Sequence, residues 1–421
     1  MRRCGLLLWL SVLMTLTTSV LCLSYAMRKV AFATNQLGMD ILRTMEQEVN
    51  GSNVAFSPLS ISTTLAAVMI GSRGNSILTL RHALYLWGMH PQQIHEAFHD
   101  LLLHLADNLQ ASLVHRYNSH RFRSSFRQDD TNGLLFYSSL YVQRDYSISY
   151  PFQVFLHKYY NITAHSVDFC RNGEETRNHI NAIVAKETAS KIMDILPDLP
   201  EKTTNMLFLS GVYFQGLLNM KISITDDSSS GDVPPELEIN SIGYSNGPVL
   251  MEAKNARVRY GVDSYLNCTA IEVPLKGGFL SMLILLPVDP EGMSLLETRL
   301  SAQRLSDFMF SMAVKRINLQ MPRISLEDTY QNFSQILSSM GLADVFTPGY
   351  ANLFGISPFR WLHVTDIIHK TKIEIKEDES DMRTETSEDD EAIDLKLDRP
   401  FLYFIMDSIS GLAIVLGKFS K

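Results

Sequence analysis

The chain has 421 residues, a hydrophobic fraction of 46% and a formal charge of −8. Such a length can bury a core without disulfides, and no nucleic-acid partner is expected. The charge is uneven: residues 377–394 hold ten acids against one base, Arg383, and with Arg2 and Arg3 set aside the remainder sums to about −1.

Arg2 and Arg3 precede an apolar run at 6–16 and then small residues at Ser19, Cys22 and Ser24. That order is expected of a secretory signal peptide over 1–24, which leaves one soluble, extracellular, monomeric domain over 25–421. Thr15, Thr17 and Thr18 interrupt the run before it could span a bilayer, and no later stretch reaches about 18 uncharged apolar residues. Cys4 and Cys22 go with the leader. Cys170 and Cys268 remain, and the sequence leaves their pairing open. Sequons at Asn50, Asn161, Asn267 and Asn332 mark surface acceptor positions in a secreted chain.

The first helix of the domain is expected over 27–49. Ser57 and Pro58 supply a cap and a pre-set first turn for a second, which stops at Gly71. Over 92–108, Ile94, Phe98, Leu101, Leu102 and Leu105 recur three and four apart, and 174–196 repeats the pattern through Ile180, Ile183 and Val184. The apolar runs at 280–286, 402–406 and 412–416 have the length of strands buried on both faces, the last two joined by a turn at 407–411. Segments 116–133 and 226–235 are polar surface loops. Helices come mainly early and strands mainly late, which predicts an α+β fold in one domain.

HEAFH at 95–99 fits a zinc-protease pattern in which His95 and His99 bind metal and Glu96 activates water. The extended pattern needs glycine and histidine where Leu102 and Leu105 stand, so the residues are read as exposed histidines flanking a buried face. No phosphate-cradling glycine loop occurs, and neither enzyme activity, a metal nor a cofactor is expected. Arg116, Arg121, Arg123 and Arg127 stand together in HRYNSHRFRSSFR without an acid. They form either a solvated loop or a site for a heparin-like polyanion, since guanidinium forks suit sulfate groups.

NVAFSPLSISTTLAAVMIGSRGNS at 53–76 is similar to the helix that follows the Asn-x-x-x-Ser-Pro-x-Ser signature of the serpins. INAIV, KETASKI, VYFQG, AIEVPL, LSMLILLP, MPRISLED, MGLADVF, HKTKIEI and DRPFLYFIMDSISGLAIVLGK follow in the family's order, so the resemblance covers essentially the whole domain. It implies helices packed around three β-sheets with an exposed reactive-centre loop, here about 377–397, offered as bait to an extracellular serine protease. After cleavage the loop's first half inserts into the main sheet as a new strand.

By that resemblance the loop hinge is Glu377, Asp378, Glu379, Ser380, Asp381, Met382, Arg383, Thr384, Glu385 and Thr386. The inhibitory members have glycine at the place of Glu379 and alanines at the places of Met382 to Glu385. With Ser380 facing inward, Met382, Thr384 and Thr386 do too, and the next inward positions are Glu388 and Asp390. Burying an unpaired carboxylate costs several kcal/mol, which predicts weak or absent insertion. The alternatives are an inhibitor of a protease that tolerates acidic loops, or a non-inhibitory carrier. Counting from the hinge puts the scissile bond after Ile393, before Asp394. Counting back from Pro400 puts it after Asp389, before Asp390. The resemblance also implies a polar cluster beneath the sheet, Ser57, Ser60, Ser210 and His369, in which Ser210 stands for the family's asparagine and donates a hydrogen bond.

Overall fold

The computed structural model describes residues 23–46, 52–108, 133–220, 223–225, 250–376 and 392–420. Asn50, the arginines Arg116, Arg121, Arg123 and Arg127, the hinge Glu377 to Thr386, and Asp389 and Asp390 lie outside the described residues. Helix α1 spans Tyr25–Glu46, and the Ser24 hydroxyl accepts the Met27 N–H at 3.1 Å to cap it. Helix α2 spans Pro58–Gly71, with Ser57 as its cap and every residue but Ile70 buried. A helix apolar on all sides belongs inside a core, and α2 lies there. Next come α3 (Gly74–Ala83), α4 (Pro91–Asn108) and α5 (Tyr150–Tyr160). On α4, Ile94, Phe98, Leu101 and Leu105 are buried as the spacing predicts. Helix α6, Gly173–Glu187, is shorter than the expected 174–196. Ala189 and Ser190 adopt φ of 50° and 60°, and the Thr188 hydroxyl accepts the Ile192 N–H at 3.2 Å, which ends the helix. The apolar spacing beyond Glu187 is real, because Ile192, Ile195 and Leu196 are buried, but a folded-back connector buries them rather than a helix.

The strands are β1 (Val54–Phe56), β2 (Gly133–Gln143), β3 (Thr163–Val167), β4 (Met206–Leu217), β5 (Ser223–Thr225), β6 (Leu250–Asp263), β7 (Cys268–Pro274), β8 (Leu280–Pro287), β9 (Ala313–Pro322), β10 (Ser325–Tyr330), β11 (Asp366–Lys376), β12 (Ile393–Lys396), β13 (Phe401–Asp407) and β14 (Ala413–Phe419). Among the described residues they form two ladders. One has five strands in the order β10-β11-β4-β2-β3. The other has nine, in the order β1-β14-β13-β8-β7-β6-β9-β12, with β5 on β6. The third sheet implied by the resemblance is continuous with the second through β6, whose first residues pair with β5 and whose last pair with β7. A register shift between Ala253 and Ala256 separates those two ends.

The predicted hairpin is present as β13 and β14, every residue of both strands buried, with Gly411 at φ 67° in the turn. Its strands, helices α1 and α2, and the inner face of the five-stranded sheet share one core. The sheet's outer face packs Leu135, Tyr137, Leu209 and Tyr213 against Ile180 and Val184 of α6 in a second cluster. Cys170 is exposed and Cys268 buried, and they are not bridged. Among the described residues no helix is long and apolar enough to cross a membrane.

Candidate functional site

Strands β4 and β11 lie side by side at the centre of the five-stranded sheet. They pair in parallel from Asp366 against Leu207 to Lys376 against Leu217, so the seam between them is closed along its whole length. Side chains alternate across a strand. His369, Ile373 and Ile375 of β11 and Ser210, Val212 and Phe214 of β4 face the inner core, whereas Leu209 and Tyr213 face α6.

His369 is fully buried, and its ring is fixed by partners from three elements. The Ser57 backbone N–H donates to Nε2 at 3.0 Å, and the Thr371 hydroxyl lies 2.8 Å from the same nitrogen. A backbone N–H can only donate, so Nε2 carries the lone pair and Nδ1 the proton. Nδ1–H therefore donates to the Ser210 hydroxyl at 2.7 Å. Burial pushes the imidazole pKa down to about 3, which keeps it neutral. Ser57 in turn donates its hydroxyl to the Ile414 carbonyl at 2.6 Å and accepts the Ser60 N–H at 3.2 Å. One helix cap thus joins α2, β11 and the C-terminal hairpin.

The structure brings Ser57, Ser60, Ser210 and His369 together and alters the expected role of Ser210. Ser210 accepts rather than donates, and Ser60 contributes its backbone N–H to the cluster. Thr371 was missed. Its signal was its position two residues after His369 on a strand, which places it on the same face. Phe333 closes the site with its ring perpendicular to the imidazole at 6.0 Å. Beside it, the Tyr330 hydroxyl donates to Asp328 at 3.2 Å and accepts the Ala55 N–H at 3.0 Å, while burial lifts the Asp328 carboxyl to about 6.

On the outer face, Gly211 pairs with Lys370 across the seam. A Cβ there would sit 2.6 Å from Ile192 Cδ1, so the missing side chain lets the connector after α6 settle on β4. Lys191 follows it down, its ammonium 4.8 Å from the centre of the Tyr213 ring.

Ile393 and Asp394, two of the four residues named for scissile bonds, belong to β12, which pairs in parallel with β9. Asn318 Nδ2 donates to the Asp394 carboxylate at 2.8 Å, so both residues are held in a sheet. Among the sequons, Asn161, Asn267 and Asn332 have φ of 53°, 50° and 69°, and Asn332 is exposed while the other two are half-buried.

The expectation of exposed histidines in HEAFH is corrected for His95. It is buried, hydrogen-bonded through Nδ1 to the Tyr160 hydroxyl at 2.7 Å, and held by burial at a pKa of about 4. Nδ1 of His99 lies 3.3 Å from the Tyr159 carbonyl, and Glu96 accepts from Gln92 at 2.8 Å. Among the described residues no three histidine, cysteine or acidic side chains are grouped to hold a metal.

Comparison with known proteins matches the fold. The chain is 28% identical to Iris of Ixodes ricinus over 87% of this chain and 91% of that protein. It is 26% identical to the leukocyte elastase inhibitor of Homo sapiens over 94% of this chain and all of that one. Among solved structures it is similar to a tumour-suppressing serpin, with a TM-score of 0.76 and 23% identity over 94% of this chain and 99% of that one. It is also similar to uncleaved ovalbumin, with a TM-score of 0.73 and 20% identity over 93% and 99%. The family model for serpins, the serine protease inhibitors, matches residues 32–421, and the chain belongs to that family.

Proposed function

We propose that this protein is a secreted serpin, related to inhibitors of serine-type endopeptidases, in which the acidic segment after Lys376 makes inhibition by loop insertion weak or absent. The observation that carries this is the inner face of the β4–β11 seam. A strand inserted there would lie against Val212, Phe214, Ile373 and Ile375, each at most 1% exposed, and against the neutral His369. In that dry setting Glu388 and Asp390 would meet no described cation, and each carboxylate would have to take up a proton or bear a desolvation cost of several kcal/mol. Cleavage after Ile393 would carry both carboxylates into the seam and cleavage after Asp389 only Glu388, so Glu388 is the obstacle common to both.

The test is incubation with elastase-type and trypsin-type serine proteases, followed by denaturing electrophoresis and a thermal scan of the cleaved protein. The expected result is loop cleavage without an SDS-resistant complex and without a large rise in Tm. A covalent complex with any of these proteases overturns the reading. Replacing Glu388 and Asp390 together with alanine should raise Tm after cleavage if the carboxylates are the obstacle. Secretion is tested separately, by recovery of a glycosidase-sensitive protein from the medium of expressing cells.

A further inference from the structure

Between Asp344 and Asp366 the chain carries one formally charged side chain, Arg360, in a connector that leads into β11. Its apolar residues divide into two sets. Leu353, Ile356 and Leu362 are buried and seat the connector on the core. Tyr350, Phe354, Phe359 and Trp361 stand 74%, 53%, 48% and 64% exposed. We propose that this aromatic face, with Arg360 among its rings, docks the protein on the headgroup layer of an anionic lipid bilayer.

The rings are held in place by the backbone beneath them. A Cβ at Gly349 would stand 2.9 Å from the Trp361 ring, so the glycine, at φ 79°, lets that ring lie across the turn before Tyr350. Asn205 Nδ2 donates to the Trp361 carbonyl at 3.4 Å, and the Leu362 N–H donates to the Phe359 carbonyl at 3.2 Å. The Phe359 ring meets the Tyr146 ring edge to face at 5.7 Å. The Ser149 N–H donates to the Ile356 carbonyl at 2.7 Å, which brings the exposed Tyr150 at the start of α5 alongside. A face fixed in this way loses little side-chain entropy when it is covered.

Residue type and charge select the occupant. Exposed large apolar side chains that stand together mark an interaction site. Tyr and Trp rings settle at headgroup depth in a bilayer, where one end of the ring is apolar and the other wet. Arg360 is exposed, and exposed Arg73 lies against Gly355, next to Phe354. The two acids that bound the connector are engaged by internal donors, Asp344 by Asn75 and Asp366 by the N–H groups of Asn332 and Ser334. The strongly acidic segment begins beyond Lys376, at the far end of the 11-residue β11, about 33 Å away and several Debye lengths at physiological salt. Anionic lipid therefore meets two cations here while the segment it would repel is screened. No residue of the seam takes part, so the lipid contact stands whether or not the protein inhibits a protease.

The probes are vesicles of phosphatidylcholine alone and of phosphatidylcholine mixed with phosphatidylserine. Binding is read by co-sedimentation and, in a Trp87→Phe background, by the emission of Trp361, which with Trp9 is then the remaining tryptophan. Sedimentation with the mixed vesicles and a blue shift of the emission are expected. A cation near an anionic surface gains about fivefold in affinity, so the mixed vesicles should be preferred by about tenfold or more. Trp361→Ser should weaken sedimentation by at least about tenfold while leaving the circular dichroism unchanged. Tyr350→Ser, at the more exposed ring, serves if the first variant does not fold. Arg360→Glu should erase the preference for phosphatidylserine. Absence of binding to either vesicle, or binding that survives both serine variants, overturns the site. Equal binding to the two vesicles overturns the choice of an anionic surface. A dimer by light scattering, with a concentration-dependent blue shift in the absence of lipid, gives the face to a second copy of the chain and overturns the lipid reading.

Discussion

Two central strand pairs share one core and are held together in different ways. The β13–β14 hairpin is antiparallel, apolar along nearly its whole length and buried at every residue, so dispersion and the hydrophobic effect hold it. The β4–β11 pair is parallel and carries Ser210, His369, Lys370 and Thr371 among its buried residues. Its cohesion depends on directional bonds that are either fully made or costly to break. The difference teaches that the hairpin is a fixed floor while the seam is a joint with a small number of discrete fastenings.

The largest effect should come from the floor. Phe404 is 1% exposed, and Phe404→Ala should cost about 3–5 kcal/mol of stability by chemical denaturation, lowering the midpoint for the whole domain. A loss confined to the five-stranded sheet would break the comparison, since the hairpin would then be peripheral.

A smaller and local effect is expected at the joint. His369→Ala leaves the Ser57 N–H without its acceptor and the Ser210 hydroxyl without its donor, at about 1–3 kcal/mol for each group left unpaired. Hydrogen exchange should quicken first in β4 and β11. The same residue gives a pH signature. Above the ordinary imidazole value of about 6.5, folded and unfolded chains are both neutral at this position. Below it the unfolded chain takes up a proton that the folded chain refuses until about pH 3, so stability at this site is lost as pH falls through that window. Subtracting the stability profile of His369→Gln from that of the wild type should isolate the slope. A flat difference would mean that the ring is solvated.

The smallest effect concerns the outer latch. Gly211→Ala forces the Ile192 methyl to move and should cost about 1 kcal/mol. In Ile192→Ala the added methyl has room, so the same substitution there should be neutral or stabilising. Additivity in that double-mutant cycle would show that Ile192 does not rest on Gly211.

Much of the joint was legible in the sequence. Ser57 before Pro58 announces a capped helix, and the apolar runs that became β8, β13 and β14 announce buried strands, because one residue type at one spacing suffices for each inference. What escaped depends on pairs that the sequence does not order. The end of α6 at Glu187 was hidden because Ile192 and Ile195 keep a helical spacing while being buried from a connector. The role of Ser210 was reversed because the imidazole tautomer is set by the backbone of Ser57, distant in the chain. Gly211 gave no signal because the residue it makes room for, Ile192, comes from a separate connector.

The pairing of β1 with β14 joins Val54 to Lys418 and Phe56 to Leu416, and Ser57 is bonded to Ile414. On the ribosome, none of these contacts can exist until nearly the whole chain has been made. Non-local closure of this kind slows folding, because its loop entropy is spent before any contact rewards it. The fastening of His369 by Ser57 should therefore be among the last steps of folding. A chain truncated before Ile414 would leave α2 without its C-terminal anchor and expose its apolar surface to aggregation.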